Sequence, residues 1–102
     1  MVIRVRPEML DEYRRLHANG WPEVLEQIHR SHISNYSIFH RDGLLFGYLE
    51  YSGTDWQEDM RLMAENPATQ RWWELTDPCQ VPLDSAAPGE RWVPMEEVFH
   101  TP

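Results

Sequence analysis

Ile33-Ser34-Asn35-Tyr36-Ser37-Ile38-Phe39-His40-Arg41-Asp42-Gly43-Leu44-Leu45-Phe46-Gly47-Tyr48-Leu49-Glu50-Tyr51 is the stretch that decides the fold. Its first part, to His40, is rich in β-branched and aromatic residues, which suit a pleated and half-buried surface. It ends at Arg41-Asp42-Gly43, and Asp-Gly between two apolar runs is among the strongest short-range hairpin signals. Leu44 to Tyr51 is the partner strand, closed by Ser52-Gly53. The middle of the chain is therefore read as an antiparallel hairpin.

Upstream, Val2 to Arg6 alternates apolar and basic residues with the period of a half-buried strand. Pro7 can open a helix in which Met9, Leu10, Tyr13, Leu16 and His17 recur at spacings of three and four. Gly20 interrupts it, and Pro22 opens a second piece with Val24, Leu25 and Ile28 as its apolar stripe. Downstream, Asp55 followed by Glu58 is a helix-start signature for Trp56, Met60 and Met63. Asn66-Pro67 repeats that punctuation before Thr69 to Leu75, and Asp77-Pro78 stops the helix. Residues 78–89 contain Pro78, Pro82, Pro88 and Gly89 and read as a long irregular loop. Trp92 to His100 reads as the last strand.

The order β-α-β-β-α-β over residues 1–102 predicts one α+β domain of the ferredoxin-like type, a four-stranded antiparallel sheet with helices on one face. Leu45, Leu49 and Tyr51 occupy one parity of the second hairpin strand and Leu44, Phe46 and Tyr48 the other, so both sheet faces carry apolar residues. Helices can cover only one of them. A symmetric homodimer is expected to cover the other.

The 102-residue chain has 9 basic against 17 acidic side chains, for a formal charge of −8. That balance repels a phosphate backbone and an anionic membrane surface, so neither nucleic acid nor lipid is an expected partner. The chain has no apolar run of membrane-spanning length and no signal-peptide core, and a cytoplasmic protein is expected. Cys79 is the single cysteine. It has no basic neighbour or helix start to favour its thiolate, so a structural role is expected.

Tyr13 and His17, four apart on a helix, share one face and can meet the same small ligand. Histidine is both donor and acceptor near neutral pH, and a neighbouring phenol can supply or relay a proton. On the spacing alone, two rings filling the core is the stronger reading, because a single pair at this spacing is weak evidence. Trp72 and Trp73 diverge by about 100° around a helix, so at least one should line a cleft or an interface. An indole face suits the C–H face of a sugar, but it suits a protein partner equally well. Asn35 and Tyr36 should point to opposite sides of their strand, so that only one meets a given pocket. His29 and His32 lack a third ligand nearby in sequence, and no metal site is expected. Glu96 and Glu97, adjacent on a strand, cannot share a proton. No glycine-rich phosphate loop, nucleophile elbow or dinucleotide fingerprint is present, so no nucleotide cofactor is expected.

Taken together, Glu12-Tyr13-x-x-x-His17-x-x-x-Trp21-Pro22-Glu23, Asn35-Tyr36-Ser37-Ile38, Gln70-Arg71-Trp72-Trp73 and Glu97-Val98-Phe99 resemble the L-rhamnose mutarotase family in order and spacing, over nearly the whole chain. The resemblance implies a dimeric α+β fold with a sugar pocket between helices and sheet. It implies His17 as the central acid/base group, Tyr13 beside it, and Trp72, Trp73, Asn35 and Tyr36 as substrate-binding residues. The implied isomerase opens and recloses a pyranose ring and needs no cofactor or metal. Family members carry a longer first strand and a different polar loop where this chain has Gln80 to Gly89, so the expected sugar is L-rhamnose or a related deoxyhexose. Two other classes share the expected architecture or cleft. One is a cofactor-independent monooxygenase or polyketide cyclase on a dimeric α/β barrel. The other is a sugar- or metabolite-binding module without turnover.

Overall fold

The computed structural model describes residues 1–102. In chain order the elements are β1 (Val2–Val5), α1 (Leu10–Ala18) entered through a 3-10 turn at Pro7–Met9, α2 (Pro22–Arg30), β2 (Ile33–Arg41), β3 (Leu44–Tyr51), α3 (Trp56–Glu65), α4 (Pro67–Thr76), a 3-10 turn at Asp77–Cys79, and β4 (Gln80–Val81). The four strands lie in the order β2-β3-β1-β4, every neighbouring pair antiparallel. This is the ferredoxin-like arrangement that the element order predicts.

Local chemistry accounts for most boundaries. Asp42 and Gly43 both take positive φ, 52° and 79°, as a two-residue hairpin loop of the type I′ kind requires. Pro22 and Pro67 stand at the starts of α2 and α4, where a missing N–H costs nothing. Asp55 accepts a hydrogen bond from the Glu58 amide at 3.1 Å, and Asn66 accepts one from the Thr69 amide at 2.9 Å, so both caps read from the sequence are formed. The expected break at Gly20 separates α1 from α2.

The fourth strand is a correction. Trp92 to His100 forms no strand; only Val93 pairs, with Val2, through reciprocal hydrogen bonds of 2.9 and 3.0 Å. The fourth strand is Gln80–Val81, inside the segment read as a loop, and it pairs with Val5 and Arg4. The reason is the length of β1. Four residues give its free edge few pairing sites, Gln80 and Val81 occupy two of them, and past Val93 the chain runs beyond the end of the edge. Pro94, which has no N–H, follows at once.

Ile3 and Leu45 pair across β1 and β3 and are the centre of the core, at 0% and 1% exposure. Val5, Tyr13, Leu16, Val24, Ala68, Trp72 and Cys79 complete it from the sheet and from α1, α2, α4 and the turn before β4. The other face of the sheet is open: Phe39 and Phe46 pair across β2 and β3, and Phe39 and Tyr48 are exposed.

Away from the core, Asp59 ties α3 to the far end of the sheet. Its carboxylate accepts hydrogen bonds from the Tyr51 hydroxyl and from Nδ1 of His32 at 2.9 Å. A Cβ at Gly53 would collide with both the Tyr51 hydroxyl and the Asp59 carboxylate, so the approach requires glycine there. The two hydrogen bonds, Tyr51 first and His32 second, hold the Asp59 carboxyl below its ordinary value of 3.8. A carboxyl lowered in the folded state stabilises fully above its unfolded value and loses that contribution as pH falls through the folded one. Asp59→Asn is therefore expected to reduce stability at pH 7 while flattening the loss below about pH 4. Urea unfolding midpoints measured from about pH 7 down to about pH 2.5 check this; parallel profiles for the variant and the parent would refute it.

Candidate active site

A cavity of about 1000 Å³ opens between the helix-covered face of the sheet and helices α1, α2 and α4. It brings together every site residue expected from the sequence: Tyr13, His17, Asn35, Tyr36, Trp72 and Trp73 all line it. It also takes in Trp21, Gln80 and Trp92, which sequence reasoning did not single out as site residues.

The helical spacing of Tyr13 and His17 places their rings 4.2 Å apart, centroid to centroid, at an interplanar angle of 33°. Their environments differ. Tyr13 is 5% exposed and belongs to the core, whereas His17 is exposed on the cavity side, which removes the core-filling reading of the histidine. Trp72 meets His17 edge to face at 5.2 Å and Trp21 meets Trp72 edge to face at 5.4 Å, so the imidazole sits in a cluster of perpendicular aromatic rings.

His17 Nδ1 lies 2.8 Å from the Tyr13 backbone carbonyl, its neighbour one helical turn earlier. A carbonyl can only accept, so Nδ1 carries the hydrogen and donates it. In the neutral ring the lone pair then sits on Nε2, which no protein group engages. The helix thus fixes the tautomer in which the outer nitrogen is a base.

The Tyr13 hydroxyl accepts a hydrogen bond from Gln80 Nε2 at 3.0 Å. Burial pushes the Tyr13 phenol up to about 12, partly offset by that bond, and burial alone pushes Tyr36 up to about 12. Both phenols are therefore proton carriers throughout the neutral range, and Tyr13 can donate. Cys79 is fully buried, its thiol donates to the Leu75 carbonyl at 3.5 Å, and burial raises its pKa, consistent with the structural role read from its surroundings.

At Asn35 and Tyr36 strict alternation fails. The β2-β3 register shifts between Ser34 and Ser37, and Asn35 adopts φ 48°, so the regular pairing is interrupted across these two residues. The irregularity lets both border the cavity, which corrects the expectation that only one could. Asn35 donates one amide N–H to Glu50 at 3.1 Å, which leaves its Oδ1 and the Tyr36 phenol as polar groups at this wall. The indoles divide as their angular separation requires, Trp72 packed in the core at 9% exposure and Trp73 more open at 37%. His29 lines the cavity, while His32 is tied to Asp59 instead. Trp21 had a signal in the Trp21-Pro22 start of α2; Gln80 had none, because its strand reads as loop.

A protein-family model described as L-rhamnose mutarotase matches residues 1–101 of the chain. The chain belongs to the L-rhamnose mutarotase family. Among its relatives, the L-rhamnose mutarotase of Jannaschia sp. strain CCS1 is 34% identical over 98% of this chain and 93% of its own length. That of Sinorhizobium fredii is 35% identical over 96% of this chain and 91% of its own. Among solved structures, the L-rhamnose mutarotase of Formosa agariphila superposes with a TM-score of 0.74 over 99% of this chain and 94% of that one. At 23% identity it speaks for the mutarotase fold.

Proposed function

We propose that this chain is an isomerase that interconverts the α and β anomers of L-rhamnose or a closely related deoxyhexose. The observation that carries this reading is the His17 imidazole, fixed with a free Nε2 beside the Tyr13 phenol in the aromatic-walled cavity. His17 Nε2 takes the proton of the anomeric hydroxyl as the bond from C1 to the ring oxygen breaks. The Tyr13 phenol delivers its proton to that oxygen. The product is the open-chain aldehyde, with the electron pair of the broken bond on the former ring oxygen and the pair of the O–H bond forming the carbonyl. Rotation about C1–C2 presents the other carbonyl face, and the two transfers run backward to close the ring. Base and acid both return to their starting state.

Trp72 and Trp73 supply apolar surface for the sugar's C–H face, and Tyr36 and Asn35 supply polar groups at the opposite wall. The family assignment favours this reading over an oxygenase, a cyclase or a binding module. Dissolving anomerically pure α-L-rhamnose and other deoxyhexoses with and without protein, and following optical rotation, tests it. Faster relaxation for one sugar is expected; relaxation at the uncatalysed rate for the whole panel would overturn the proposal.

The proposal includes a homodimer in the cytoplasm, where the free Cys79 stays reduced. Its support is the open sheet face with Phe39 and Tyr48, together with a C-terminal segment whose Val98 and Phe99 are 84% and 79% exposed. Sedimentation equilibrium at micromolar concentration is expected to give twice 12.2 kDa. A stable species of one chain's mass would contradict it, because a standard-sized interface persists at that concentration.

A further inference from the structure

We propose that Gln80 is a positioning residue for the reaction, holding the Tyr13 hydroxyl so that its proton points into the cavity. The inference rests on the reading that Tyr13 is the acid of the ring-opening step. It begins with hydrogen-bond arithmetic. A phenol has one hydrogen and a lone pair to offer. Gln80 Nε2 fills the accepting side at 3.0 Å, and it is the hydroxyl's one protein partner. The phenolic hydrogen must then aim away from Gln80, and the cavity that both residues line is the space it can serve. When Tyr13 gives up that hydrogen, the same N–H remains on the oxygen and favours the transient phenolate, the direction in which it already acts on the phenol.

The scaffold holds Gln80 firmly enough for such a task. The residue is 6% exposed. Its backbone pairs with Val5 in the sheet, its backbone N–H donates to the Asp77 carbonyl to cap the 3-10 turn, and the preceding Cys79 carbonyl accepts from the Arg6 backbone N–H at 2.8 Å. The two-residue strand β4 thus sets one side chain opposite α1. The donor can approach Tyr13 only because β4 and not the C-terminal segment adds to that part of β1.

Gln80→Glu and Gln80→Met separate positioning from packing, since both keep the length of the side chain. The carboxylate introduced by Gln80→Glu would accept a hydrogen bond from the phenol and so turn its proton away from the sugar, and it would oppose the phenolate. For this variant kcat is expected to fall at least about 10-fold with KM changed less than about threefold, the pattern of a lost transition-state interaction. The ratio of variant to parent kcat is expected to rise as pH falls, because a protonated carboxyl becomes a donor again. Gln80→Met is expected to lose kcat by a smaller factor and to show no such pH trend. Parental kcat in a folded Gln80→Glu protein, or in folded Gln80→Met if the first variant does not fold, would overturn the inference, as would a Gln80→Glu loss independent of pH. Tyr13→Phe, measured alongside, distinguishes the two levels. If it retains parental kcat, the acid role of Tyr13 fails and Gln80's role with it; if it is slow while Gln80→Glu is parental, Gln80 alone is misassigned.

Discussion

His17→Gln is expected to slow anomer exchange by about 10²–10⁴-fold, the range typical of a positioned acid–base group, while the protein remains folded. The glutamine amide can still donate to the Tyr13 carbonyl and still meet a sugar hydroxyl, but it cannot take up a proton near neutral pH. The fold should survive because His17 sits on the cavity side of α1 and outside the buried cluster of Tyr13, Leu16 and Trp72. Exchange rates measured with thermal melts of the same sample check both halves. A folded variant that turns over at the parental rate would reduce His17 to a binding residue. A variant that unfolds would return it to a structural role and move the base elsewhere.

The adjacent indoles are expected to fail differently. Trp72 is buried against Trp21 and His17, and truncating a buried Trp to Ala typically costs about 3–5 kcal/mol. For a domain whose whole stability is on the order of 5–15 kcal/mol, that is a large share. Trp72→Ala should therefore lower the melting temperature by roughly 4–8 °C per kcal/mol, and it should also remove the ring that seats the imidazole. Trp73, more open on the cavity side, should cost less than about 1 kcal/mol in stability when cut to Ala. Its loss should appear in KM instead, by roughly threefold to tenfold, as expected for one stacking surface of about 0.5–1.5 kcal/mol. Calorimetry and steady-state kinetics on the two variants decide the matter; equal stability losses, or an unchanged KM for Trp73→Ala, would contradict this division.

Much of this was legible in the sequence because the relevant signals are local. The Asp42-Gly43 turn, the Asp55 and Asn66 caps and the prolines at Pro22 and Pro67 act through neighbours a few residues away, and each marks its boundary correctly. The Tyr13 to His17 spacing likewise brings the two rings together. What was not legible depends on partners distant along the chain. Whether Gln80–Val81 or Trp92–His100 completes the sheet is decided by how much of β1's edge is free, and a β-propensity pattern in Val93 to Phe99 carries no information about that. The Gln80 contact spans 67 residues and exists only because β4 joins the sheet beside β1. The irregularity at Asn35 is a register effect of β3 against β2, and alternation read along one strand misses it. The tautomer of His17 follows from an atom-to-atom distance.

The central claim is that His17 and Tyr13 move protons on the anomeric carbon's two oxygens. Its most direct test is magnetisation exchange between the α and β anomeric protons of L-rhamnose at equilibrium, where net reaction and product release play no part. Saturating one anomer's resonance in the presence of catalytic amounts of the protein is expected to attenuate the other, with the transfer lost in His17→Gln. No transfer above the protein-free rate, from a folded wild-type protein with the sugar present at millimolar concentration, would contradict the account.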